Sequence, residues 1–92
     1  MAMRYYLTYT YNLINQRITT RVYSDQHLGK IVRKLVKAGP LKFFVINRVV
    51  QALIDKRRCE EAYLLLMSIP EVFIDKATKK IVIAIPLLPN PC

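Results

Sequence analysis

Few residues in this chain have the types or spacing that catalysis needs. There is one histidine, His27, and two cysteines, Cys59 and Cys92. A thiol nucleophile needs a base and a group to orient that base. No spacing here brings the three together. Glu60 and Glu61 are the only adjacent carboxylates. Neighbours on a helix point about 100° apart, so they do not form an acid and base pair. They suit the first turn of a helix, where negative charge meets the dipole.

Metal and phosphate motifs are also missing. Two distant cysteines and one histidine match no zinc spacing. With only Gly29 and Gly39 in the chain, there is no glycine-rich phosphate loop or dinucleotide fingerprint. The expectation is a protein that is not an enzyme and carries no cofactor or metal.

The other candidate chemistry is charge. The formal net charge is +9, from 15 Lys and Arg against 6 Asp and Glu. The excess is +3 over residues 1–23, +7 over 24–58 and −1 over 59–92. An anion-binding face should therefore come from the first two thirds. The candidate phosphate contacts are Arg17, Arg21, Lys30, Arg33, Lys34, Lys37, Lys56, Arg57 and Arg58. Lys30, Lys34 and Lys37 are spaced i, i+4, i+7, one stripe of a helix, with no acid after Asp25 to answer them. The plainer reading is a solvated helix face. Lys56-Arg57-Arg58 and Lys79-Lys80 are weaker, each a turn-adjacent cluster of the kind surfaces commonly carry. Tyr6 and Tyr23, on strand faces that also carry arginine, are candidates for stacking bases. Core or edge packing is the commoner use of such rings.

The elements that would position these residues can be read from periodicity. Arg4 to Tyr11 alternates, with Tyr5, Leu7, Tyr9 and Tyr11 on one face, and Arg17 to Tyr23 alternates again. Asn12 and Asn15 mark the turn of a β-hairpin between them. Ser24 is a candidate N-cap. Leu28, Ile31, Val32 and Leu35 then predict a helix over about 25–38, stopped by Gly39-Pro40. Phe43 to Ile46 could be strand or helix from its own composition. Val49, Val50, Leu53 and Ile54 favour a helix from about 43 to 56. A third helix is expected over 59–68. A second hairpin should run from Val72 to Ile85 around 76–79.

The predicted order is ββαααββ, an α+β fold with an antiparallel sheet from two hairpins and helices packed on one face. At 92 residues and 53% hydrophobic composition, one domain spanning 1–92 is expected, with 86–92 a proline-rich extended tail. A winged-helix arrangement fits poorly. Its recognition helix would be 59–68, which has no Arg, Lys, Asn or Gln to read bases.

The setting is expected to be intracellular and reducing, since two distant thiols do not make a disulfide framework. MAMRYYLTYTYN is polar and alternating, so a secretory leader is not expected. No apolar run approaches a membrane span. The sequence thus points to a small, basic nucleic-acid-binding protein that contacts mainly phosphates with little sequence specificity. The alternative is a protein-binding accessory or inhibitor module of viral or mobile-element type, docking on an acidic partner surface. That analogy rests on size alone. Strand edges could also support a homodimer.

Overall fold

The computed structural model describes residues 4–87. The chain folds as β1 (Tyr5–Asn12), β2 (Ile18–Ser24), α1 (Asp25–Val32), β3 (Val36–Lys37), α2 (Lys42–Asp55), α3 (Cys59–Met67), β4 (Glu71–Asp75) and β5 (Lys80–Pro86). This is the expected α+β order with one short strand added. All pairings are antiparallel, in one sheet of order β2-β1-β5-β4-β3. Cys92 and the tail beyond Leu87 lie outside the described residues.

Strand alternation builds the core. The register places Tyr9 between Thr20 and Ile83, and Tyr11 between Ile18 and Ile81. Tyr9, Tyr11, Ile81, Ile83 and Ile85 are buried on this face. Tyr5, which shares their parity, lies at the strand's start and is exposed. The face is covered by Val45, Val49, Val50 and Leu53 of α2 and by Ala62 and Leu65 of α3. Positions 45, 49 and 53 recur every four residues, and this spacing makes the Phe43 to Ile46 run helical rather than extended. Burial of each such Val or Leu is worth roughly 1.5–3 kcal/mol.

α1 begins on the opposite face. The Ser24 hydroxyl accepts the His27 amide at 3.3 Å, capping the helix, and Asp25 occupies its first turn. The His27 ring meets the edge of Tyr23, with centroids 4.9 Å apart. Tyr23 pairs with Tyr6, whose parity is opposite to that of Tyr9. Leu28 is buried but lies outside the α2–α3 core. Thr8, Phe73, Val82 and Ala84 are buried on this second face.

The first helix is shorter than its apolar spacing predicts. It ends at Val32, and the Leu35 amide donates to the Val32 carbonyl at 3.0 Å in a turn. Val36 and Lys37 then pair with Ile74 and Phe73, and the Ala38 amide donates to the Val72 carbonyl. Gly29 and the β-branched pair Ile31-Val32 weaken the helix. The edge of β4 offers the next residues an alternative set of backbone hydrogen bonds. Gly39-Pro40 therefore follows a strand, not a helix. Lys30, Lys34 and Lys37 fall on a helix, a turn and a strand, so they do not form one stripe.

Candidate nucleic-acid interface

Three turns carry the exposed cations that the fold brings together. In the first, the Asn12 carboxamide oxygen accepts the amides of Ile14 and Asn15 at 2.8 and 3.3 Å. Gln16 then turns left-handed, at φ 60°, and Arg17 leads into β2 at Ile18. The second is built the same way. Asp75 Oδ1 accepts the amides of Ala77 and Thr78 at 3.0 and 3.3 Å, and Lys79 takes φ 58° before Lys80 opens β5. A side-chain acceptor at the strand's end and a left-handed residue four positions later define both hairpins.

The third turn closes α2. Arg58 donates its amide to the Leu53 carbonyl at 2.8 Å and Arg57 to Ile54 at 2.9 Å, with Arg57 at φ 59°. This is a Schellman cap with arginine where glycine is usual.

Strand pairing sets the proximity. Because β1 and β5 are antiparallel neighbours, both hairpin turns emerge at the same end of the sheet. Asn12 pairs with Lys80, and the Leu13 amide donates to the Lys79 carbonyl at 3.0 Å. The end of α2 reaches the same place, since Gln16 and Tyr11 line a cleft with Arg48, Gln51 and Asp55. Arg33 and Lys34 lead into β3 at Val36, which pairs with Ile74, the residue before Asp75. Arg17, Arg33, Lys34, Lys56, Arg57, Lys76, Lys79 and Lys80 are all exposed.

Asp75, Asp55 and Glu61 are engaged locally, whereas the exposed Glu60 lines a cleft together with Arg57. The Asp75 carboxyl is held below its ordinary pKa, first by the Thr78 side chain, then by the Thr78 and Ala77 amides and by Lys80, so it stays charged within its own turn. Asp55 accepts from the Gln51 carboxamide at 3.1 Å. Arg58 is not a free cation. Its guanidinium pairs with Glu61 at 2.6 Å, and both side chains are half-buried. Behind them Tyr9 Oη is buried without a hydrogen-bond partner among the described residues. Burial, and then the charge of Glu61, push that phenol up to about 12, against a smaller opposing effect of Arg58.

The sequence candidates thus divide. Arg17, Arg33, Lys34, Lys56 and Arg57 lie toward the turn end. Lys30 is on α1, Arg21 is in the middle of edge strand β2, and Lys37 points β3 toward the far end. Tyr6 and Tyr23 are cross-strand partners near Pro86 and Ser24, half-buried, with His27 against Tyr23. They are remote from the gathered cations. Lys76, Lys79 and Lys80 join the set because β1 pairs with β5. Hairpin connectivity alone does not specify that pairing.

Cys59 opens α3, is exposed, and forms no disulfide among the described residues. Among the described residues no group of three or more His, Cys, Asp and Glu side chains is placed to hold a metal ion, and no helix is long and apolar enough to cross a membrane. Comparison with protein-family models, curated proteins and solved structures returned no match.

Proposed function

We propose that this chain is a small, basic, non-enzymatic nucleic-acid-binding protein that contacts phosphates through its turn end, with little sequence preference. The observation that supports this most is the residue choice at the left-handed turn positions. Glycine takes such a conformation without steric cost, whereas a side chain costs roughly 1 kcal/mol there. Two of the three positions hold the exposed cations Arg57 and Lys79. Backbone strain kept at a surface turn is a pointer to function. Cations on neighbouring turns can neutralise successive phosphates and release their counterions. They offer no helix or ribbon shaped to read base edges, so discrimination between sequences is slight.

The test is fluorescence anisotropy of labelled single- and double-stranded DNA and RNA with the wild type and the Arg57→Glu/Lys79→Glu variant. Both residues are exposed, so the variant should fold. Its affinity should fall by about tenfold or more. Unchanged affinity would remove these turns from the site. Absence of binding by the wild type would turn the positive charge toward an acidic protein surface instead.

A further inference from the structure

The outer surface of α2 and α3 carries apolar side chains that no described element covers. Phe43 is 76% exposed and Ile69 87%. Together with Ile46 and Leu66 they line a cleft between the start of α2 and the end of α3. A single exposed apolar side chain is ordinary, but a contiguous set lining a concavity marks a binding surface. Among the described residues Lys42 is the one charged residue lining this cleft. It also lines the adjoining cavity, where Lys37 is the second cation and Glu71 the acid.

We propose that this cleft is the docking site for an acidic amphipathic segment of a partner protein. The segment's apolar side chains would sit between Phe43, Ile46, Leu66 and Ile69, and its carboxylates would face Lys42 and Lys37. This is helix-in-groove recognition, in which apolar anchors supply affinity and charge sets the orientation. Charge complementarity selects the occupant. The chain's net charge of +9 attracts an acidic segment and opposes a second copy of itself. The surface is separate from the turn end, so both can be engaged together.

Two synthetic amphipathic peptides with identical leucine and phenylalanine positions test the proposal, one with glutamate and the other with lysine at every polar position. Each is titrated into isotope-labelled protein and followed by amide chemical shifts. The glutamate peptide should perturb the amides of Phe43, Ile46, Leu66 and Ile69, and should bind about tenfold more tightly than the lysine peptide. Phe43→Ser, at an exposed position, should weaken it by about tenfold or more, as loss of an aromatic anchor does. That variant should keep its nucleic-acid affinity, which separates this proposal from the preceding one. Lys42→Glu should reverse the peptide preference. Equal affinity for the two peptides would overturn the proposal, as would shifts confined to the turn end. So would a doubled mass in light scattering that Phe43→Ser restores to monomer, since the cleft would then bind a second copy.

Discussion

The Leu13 amide donates to the Lys79 carbonyl at 3.0 Å, so the two hairpin turns are tied to each other as well as to their own strands. Lys79 makes that bond while held at φ 58°. Lys79→Gly keeps the backbone bond and removes the steric cost of the left-handed conformation. Its stability in urea should rise by roughly 1 kcal/mol while its affinity for nucleic acid falls. A variant that is both less stable and equally tight in binding would count against a functional reason for the lysine.

α1 is stabilised by filling its glycine. A Cβ built on Gly29 meets nothing within 4 Å, and the residue is helical. Gly29→Ala should therefore raise the midpoint of thermal unfolding, with a gain of about 0.5–1 kcal/mol. A lower midpoint would show that the helix packs more closely there than the structure allows.

The Arg58–Glu61 pair is structural. Arg58→Ala leaves the buried Glu61 Oε2 without its cation. Solvent reaches both partners, so the cost should be about 1–2 kcal/mol, below that of a fully buried pair. Glu61→Gln in the same chain should recover part of it, because the charge left behind is then neutral. Additive losses in this double-mutant cycle would mean that the two side chains do not interact.

Tyr9 gives the fold an alkaline limit. Its phenol is raised from 10.0 to about 12 in the folded chain. Below pH 10 both folded and unfolded states keep the proton, and the stability is fully present. As pH rises from about 10 to about 12 the unfolded phenol ionises first, so stability falls across that window. In Tyr9→Phe this component of the decline should vanish from pH-dependent urea titrations. An unchanged profile would place the effect on other groups.

Much of the fold was legible locally. Alternation in Tyr5 to Tyr11 located β1 and its buried face, because one face of the strand is core. Asn12 and Asn15 marked their turn because each side chain accepts backbone amides there. The end of α1 was not legible. Leu35 continues the helical spacing, and Gly39-Pro40 is a strong stop, but β4 captures Val36 and Lys37 through hydrogen bonds that only tertiary structure supplies. The site was hidden for a similar reason. Lys79 is sixty-two positions from Arg17 in the sequence. The β1–β5 pairing that brings their turns together depends on packing over the whole sheet.

The most direct test of phosphate binding is the salt dependence of anisotropy for the wild type and for Arg57→Glu/Lys79→Glu. Each neutralised phosphate on a duplex contributes roughly 0.9 to the negative log–log slope. The wild type should give a slope of about −3 or steeper, and the variant a shallower one by about 2. A slope near zero, or the same slope in both proteins, would contradict nucleic-acid recognition at the turn end.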